Sequence, residues 1–349
     1  MEKEILSQPQ VWGESLRSLS TSAAFSRVCK HVTRDQEWLF IGCGSSYYIA
    51  QAAAATFTQL GLHARAVPAS ELLLFPELTL GPLPRARIPV LISRSGKTSE
   101  VLQAAELLEK KHDTRTVGIT CSANQPLEGI ATFTLHTLAA DELSTVMTRS
   151  FTAMLLGLQY LGASVARNEV LRKALEALPE NAKPMLSRVH ASVREFVRGH
   201  DFSDYVFLAQ GPLVGIAKEC ALKVTESSLS YAQAYHTLEF RHGPKSILAS
   251  DVLTVFLLSE AGYDAEVEML EEVKSLGGTT IAVANRVDKR ASRAADLAIE
   301  LDLPSPELSR LVAYVPCGQL LGLYTALKKG VNPDEPRHLS RVVILNSAV

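Results

Sequence analysis

Between residues 38 and 136 short apolar runs alternate with amphipathic ones: WLFIG, then YYIAQAAAATFTQLG, IPVLIS, SEVLQAAELLEKK, TVGIT and ATFTLHT. The short runs predict buried strands and the longer ones, with apolar residues at helical spacing, predict helices. Strand alternating with helix implies a parallel sheet. The order recurs after residue 200 as YVFLAQG, VGIAKECALKVTESSL, LTVFLLS, DAEVEMLEEVKSLGG, TIAVAN and ADLAIELD. Strand centres near 40, 90 and 118 give spacings of about 50 and 28 residues, and those near 207, 255 and 282 give about 48 and 27. The chain reads as two copies of one α/β unit. Residues 150 to 199 carry Leu155, Leu158, Leu161, Leu186, Val189, Val193 and Phe196 at helical spacing, with Pro179 and Pro184 expected to break the run. The division that follows is a helical extension over 1–37, a first copy over 38–165, a helical connector over 166–200, and a second copy with its tail over 201–349.

A chain of 349 residues, 47% of them hydrophobic, can give each of two domains its own core. With 35 basic against 37 acidic side chains, the charge balance offers no attraction to nucleic acid or a membrane surface, so a small molecule is the expected partner. Cys29, Cys43, Cys121, Cys220 and Cys317 are odd in number, far apart and mostly within apolar runs, which reads as reduced, buried thiols. The start MEKEILSQPQ has no apolar core for a signal peptide, and no stretch reaches the roughly 18 apolar residues of a membrane span, so a soluble cytoplasmic protein is expected.

Ligands of doubly wound sheets bind where strands lead into helices, and there the two copies differ. The first copy has Cys43-Gly44-Ser45-Ser46 and Ser93-Arg94-Ser95-Gly96-Lys97-Thr98; the second has Ala209-Gln210-Gly211-Pro212 and Ser259-Glu260-Ala261-Gly262. Hydroxyls at a helix start either cap it or, with free N–H groups and a close-approach glycine, cradle a phosphate. Two hydroxyl-rich loops one strand apart favour phosphate. Neither a Walker loop nor a dinucleotide fingerprint is present, which points to a phosphate carried on a sugar.

Lys223 and Glu226, three apart on a mostly uncharged helical run, form either a surface ion pair or, on a face lining an interdomain crevice, a proton-shuttling carboxylate beside its lysine. In AYHTLEFRHGPKS, residues 234–246, the helical pattern ends after Tyr235 and Gly243-Pro244 stops what precedes it. Glu239 and His242 are therefore expected on a loop or single turn. His236 reads as structural, whereas His242, between Arg241 and a rigid turn, is placed to meet a ligand.

Taken together, Gly42-Cys43-Gly44-Ser45-Ser46, the Ser93 to Thr98 stretch, Ala221-Leu222-Lys223-Val224-Thr225-Glu226 and Phe240-Arg241-His242-Gly243-Pro244-Lys245 resemble the signatures of the double sugar-isomerase (SIS) domain proteins. That family includes the isomerase half of glucosamine-6-phosphate synthase and the amino-sugar-phosphate deaminases and isomerases. The likeness runs from Lys3-Glu4-Ile5 and Gln8-Pro9 to Pro336-Arg337. It implies two tandem SIS domains, each a parallel sheet flanked by helices. By position, Gly44, Ser45, Ser46, Ser93, Arg94, Ser95 and Thr98 resemble the sugar-phosphate site, with Glu239 and Arg341 also in the substrate-binding set. Glu226 matches the carboxylate that moves a proton between C1 and C2, Lys223 its neighbouring lysine, His242 the ring-opening histidine, and Glu142 a further acidic site residue, the four making up the expected catalytic set. In the synthase that histidine comes from the partner subunit, so the resemblance implies a homodimer with shared active sites.

The departures narrow the expectation. The synthase carries a glutaminase with a nucleophilic cysteine after its initiator methionine, whereas this chain begins Met1-Glu2-Lys3 with about 37 residues before its first strand, so glutamine-derived ammonia is not expected. Arg341 stands where the synthase has an imine-forming lysine, and arginine, always protonated, forms no Schiff base. Met147 replaces a small hydroxyl residue, as in deaminase-type and tagatose-type relatives, and Lys97 replaces an acidic one. The expectation is an amino-sugar-phosphate deaminase/isomerase needing no metal or organic cofactor. The alternatives are a phosphosugar aldose-ketose isomerase, a fructosamine-phosphate deglycase, a glutaminase-free relative of the synthase, and a non-catalytic sugar-phosphate sensor. The first 37 residues are too few and not basic enough for the helix-turn-helix of a transcriptional sensor, and a sensor needs neither Glu226 nor His242.

Overall fold

The computed structural model describes residues 1–81, 86–112 and 114–345. They divide into two compact units. One comprises Ser7–Glu142, Met147–Pro179 and the tail from Ser340; the other comprises Met1–Leu6, Leu143–Val146 and Glu180–Leu339.

The first unit is built on five parallel strands, β1 (Glu37–Gly42), β2 (Ala64–Pro68), β3 (Arg87–Ile92), β4 (Val117–Thr120) and β5 (Phe133–His136), in the order β2-β1-β3-β4-β5. Apolar runs fill β1, β3 and β4 because both faces of a parallel sheet are covered. The two faces take alternate residues. Trp38 and Phe40 meet Phe57 of the helix Ser45–Gln59 edge-on, each at 4.8 Å between ring centroids. On the opposite face Leu39, Ile41 and Leu91 join Val101, Ala104, Ala105 and Leu108. The helix Gln8–Thr21 packs on the helix Arg149–Val165, where Trp12 Nε1 donates to Thr152 Oγ1 at 2.8 Å.

The second unit repeats the plan with β6 (Asp204–Ala209), β7 (Tyr231–His236), β8 (Val252–Leu257), β9 (Thr279–Ala284) and β10 (Leu297–Glu300), in the order β10-β9-β8-β6-β7. Strand for strand this is the first sheet again. Ladder bonds repeat too: Ser93 N–H donates to Ile119 O at 3.1 Å and Leu258 N–H to Val283 O at 2.9 Å. The core of one face joins Val206, Leu208, Phe256, Val267, Leu270, Val273 and Ala282.

Two findings depart from the sequence expectation. Edge strands β2 and β7 have no counterpart among the predicted strands, because ARAVP and YAQAYH lack the apolar run of a central strand and are mostly half-exposed. Pro179 and Pro184 do not break the connecting helix, which runs unbroken over Glu169–Gly199. Its buried stripe, Leu171, Leu175, Leu178, Ala182, Met185, Leu186, Val189, Val193 and Val197, stays in phase throughout. An interior proline costs a helix about 3 kcal/mol, and the burial of several such side chains, at about 1.5–3 kcal/mol each, outweighs that.

Candidate active site

The hydroxyl-rich loops lie at the carboxyl ends of β1 and β3. After β1 the backbone turns sharply into the helix Ser45–Gln59. A side chain at Gly42 would come within 2.5 Å of the Ser46 carbonyl carbon, and Gly44 holds φ +54° as the residue before the first helical turn. The N–H groups of Tyr47 and Tyr48 then donate to Gly44 O, and Ser45 and Ser46 are buried at the helix start.

After β3 the chain folds on itself through its own side chains. Ser93 Oγ accepts the N–H of Gly96 at 3.1 Å and lies 3.0 Å from Thr98 Oγ1, and Ser95 Oγ accepts the N–H of Lys97 at 3.2 Å. Gly96 is at φ +64°, and a β-carbon there would stand 2.7 Å from Gln125 Cβ. Thr98 precedes the helix Ser99–Glu106 without capping it through its side chain. The capping reading therefore does not apply to Thr98, and the serines brace the turn rather than cap the helix. Ser95 and Thr98 are half-buried and Lys97 is exposed. Cys43 donates to Glu100 Oε2 at 3.7 Å; burial, reinforced by that carboxylate, pushes its thiol up to about 12, so it is no nucleophile near neutral pH.

Arg94, placed with the phosphate-binding residues by sequence, is buried and points its guanidinium at Glu142 Oε1, 3.2 Å away. Glu142 in turn accepts from the Thr148 N–H at 3.0 Å, from Thr148 Oγ1 at 2.7 Å, and from Ser150 Oγ. A fully buried carboxylate ringed by donors and one guanidinium is an organising hub, so Glu142 fixes Arg94 and the start of the helix Arg149–Val165. The tail completes this corner. Arg94 Nη2 donates to Arg341 O at 2.7 Å, the Arg341 guanidinium pairs with Asp141, and Ser99 Oγ accepts from Leu345 N–H at 2.9 Å. Met147 is half-buried between Glu142 and Thr148 in sequence.

In the second unit the helix Val214–Ser228 carries the charged cluster. Lys223 is fully buried; its Nζ donates to Glu226 and lies 3.4 Å from Glu219 Oε1. Glu226 retains 19% side-chain exposure and Glu219 none. The surface-pair reading fails on Lys223. Glu219, one turn before the lysine, is a residue sequence reasoning missed, although its i, i+4 spacing to Lys223 was legible. The lysine is buried because the helix Glu307–Lys328 approaches closely: β-carbons at Gly318 and Gly322 would stand 2.4 Å from Cys220 Cβ and 2.8 Å from Lys223 O.

His242 follows a single 3₁₀ turn, Glu239–Arg241, itself reached from β7. Its N–H donates to Glu239 O at 3.0 Å, and both side chains are exposed. Gly243, at φ +131°, then redirects the chain into Pro244–Ile247. The turn is anchored from below: Arg241 Nε and Lys245 Nζ each stand 2.8 Å from the Glu272 carboxylate, and Phe240 is fully buried. The anchoring holds Glu239 and His242 outward. His236, read as structural, is also exposed, at the end of the edge strand.

The profile of the SIS domain family matches residues 33–163 and 204–317. The chain is 25% identical over 98% of its length to a glutamine–fructose-6-phosphate aminotransferase [isomerizing] of Pyrobaculum aerophilum, of which it spans 57%. Among solved structures it is similar to a glucosamine-6-phosphate deaminase from Thermotoga maritima, at 29% identity and TM-score 0.78, over 98% of this chain and all of that one. It also shares the fold of a tagatose-6-phosphate ketose/aldose isomerase from Escherichia coli, at 23% identity and TM-score 0.85, over 99% and 96% of the two chains. With matching sheet orders in its two units and a family match in each, this chain belongs to the SIS domain family and carries two copies of the domain in tandem.

Proposed function

We propose that this protein is an amino-sugar-phosphate deaminase/isomerase. It takes a 2-amino-hexose 6-phosphate, glucosamine 6-phosphate or its galacto epimer, to the ketose 6-phosphate and ammonia. The phosphate anchor is the Ser93 to Thr98 loop with Gly44, Ser45 and Ser46, and Arg94 held by Glu142 and Arg341. His242 assists ring opening to the aldehyde. The Glu226 carboxylate removes the C2 proton and returns it at C1, leaving a ketose imine at C2 that adds water and expels ammonia. No electrophilic lysine is needed, in keeping with Arg341.

The observation that carries this reading is the Glu219, Lys223, Glu226 array. A buried ammonium donating to a partly exposed carboxylate fixes where that carboxylate points, as a base must be directed. The deaminase from Thermotoga maritima, alike along the whole chain, supports the choice of substrate. The exposed His242 and Glu239 support a homodimer in which these residues serve the partner's substrate. Among the described residues no helix is long and apolar enough to cross a membrane, and five free cysteines support a reducing, cytoplasmic setting.

The test is ammonia release from glucosamine 6-phosphate and galactosamine 6-phosphate, with Glu226→Gln as control. The expected result is release from one epimer that the variant loses by about 10²- to 10⁴-fold. Interconversion of aldose and ketose phosphates without ammonia would replace this reading with a plain isomerase.

A further inference from the structure

A cavity of about 400 Å³ lies within the C-terminal unit, beyond the carboxyl ends of β8, β9 and β10. That is where a doubly wound sheet holds its ligand, and the volume falls in the range of small-molecule sites. The turn beside it is a copy of the phosphate loop. Ser259 Oγ accepts the N–H of Gly262 at 3.0 Å, as Ser93 Oγ accepts that of Gly96 at 3.1 Å.

The chemistry has been inverted. In the turn, Glu260 stands where the first copy has Arg94, and Ala261 where it has Ser95. Glu260, Asp288 and Glu300 bring three carboxylates to the wall. The one basic lining residue, Arg286, is already engaged by Glu300 at 2.9 Å and Asp302 at 2.6 Å. A phosphate entering here would meet an excess of like charge.

The polar wall is nevertheless ordered. Tyr263 Oη accepts the N–H of Asp288 at 2.9 Å, and Glu300 Oε2 accepts the N–H of Val287 at 3.0 Å. Glu260 is tied to the buried Arg310. Carboxylate oxygens and a phenol held at set positions over an apolar floor of Leu258, Ala284 and Val287 suit a ligand bearing hydroxyl and amine donors.

We propose that this cavity is a second ligand site, taking an unphosphorylated amino sugar and rejecting sugar phosphates. It is independent of the reaction assigned above, since it uses other residues and another ligand charge.

The test is calorimetric titration of the full-length chain with glucosamine, and separately with glucosamine 6-phosphate. Two variants accompany the wild type. Val287→Trp fills the cavity, and Asp288→Asn removes a wall charge while its side chain can still cap Ala291 N–H, now 2.8 Å from Asp288 Oδ1. Saturable glucosamine binding is expected, abolished in Val287→Trp and weakened about tenfold in Asp288→Asn, the loss of one charge-assisted hydrogen bond. Binding of glucosamine 6-phosphate is expected to be the same in all three. No glucosamine binding, or binding that survives both variants, overturns the proposal. Absence of glucosamine 6-phosphate binding in the wild type would instead count against the deaminase reading and leave this site standing.

Discussion

Lys223, without solvent exposure, holds its ammonium 3.4 Å from the equally buried carboxylate of Glu219, one helical turn earlier. The same nitrogen donates to Glu226, so a single cation serves a sealed acid on one side and a partly exposed one on the other. Removing the cation takes an ion pair from both. Lys223→Met is expected to cost about 3–5 kcal/mol, the usual penalty for leaving a buried charge without its partner. The double variant Lys223→Met with Glu219→Leu is expected to recover most of that stability but no activity. Urea unfolding of the wild type, single and double variants checks this, and equal loss in the two variants would show that Glu219 is not the acid in question.

Glu142 is expected to act on binding rather than on the proton transfer. Glu142→Gln presents an amide donor to Arg94, Thr148 and Ser150, groups that all donate toward it. The guanidinium loses its anchor beside the Ser93 to Thr98 loop. KM for the sugar phosphate is expected to rise about tenfold, the worth of one charged hydrogen bond, with kcat within a few-fold of wild type. A drop confined to kcat would place Glu142 on the reacting atoms instead.

Gly322 permits the burial of Lys223. A β-carbon there would meet the Lys223 carbonyl oxygen at 2.8 Å, and a backbone atom in a packed helix cannot move aside as a side chain would. Gly322→Ala is therefore expected to destabilise by about 1–3 kcal/mol, with loss of activity in step. Gly129→Ala, in the helix Pro126–Ile130 with open space around the new methyl, is the control and is expected to be neutral or to stabilise by about 0.5–1 kcal/mol. Chemical denaturation of the two variants separates crowding from helix propensity.

Glu266 ties stability to pH. It is fully buried, its Oε2 accepts from Ser259 N–H at 2.6 Å, and burial pushes its carboxyl up to about 7 from the ordinary 4.5. The folded state thus favours the neutral acid. Its contribution is complete below pH 4.5, declines as pH rises toward 7, and is gone above that. Glu266→Gln is expected to flatten this decline, matching the wild type near pH 4.5 and exceeding it by roughly 3 kcal/mol near pH 8. Denaturation midpoints of both proteins across that window check the sign; a variant less stable than wild type at pH 8 would refute it.

Much of this architecture was legible before any coordinates. The central strands announced themselves because each is buried on both faces and is almost wholly apolar, as in Trp38 to Ile41 and in Val252 to Leu257, where Thr254 is the exception. Of the four edge strands, β2 and β7 did not, since Ala64–Pro68 and Tyr231–His236 face a neighbour on one side only and lack a distinct apolar run. The prolines at 179 and 184 misled for a related reason: local preference counted against the helix Glu169–Gly199, whereas burial of its long stripe counted for it.

The residues of the candidate site divide in the same way. Identity and spacing along the chain were enough for the duplication, for three hydroxyls after β3 in the first copy against Ser259 alone in the turn after β8 in the second, and for Lys223 beside Glu226, because these follow from periodicity and composition within one element. Tertiary structure alone decided which charges are buried. It sealed Lys223 through Gly318 and Gly322, 95 and 99 residues away in the chain, and turned Arg94 inward onto Glu142 and the tail carbonyl of Arg341. A side chain's charge is written in the sequence, but its environment is assembled from segments that meet only on folding, and that environment sets what the charge can do.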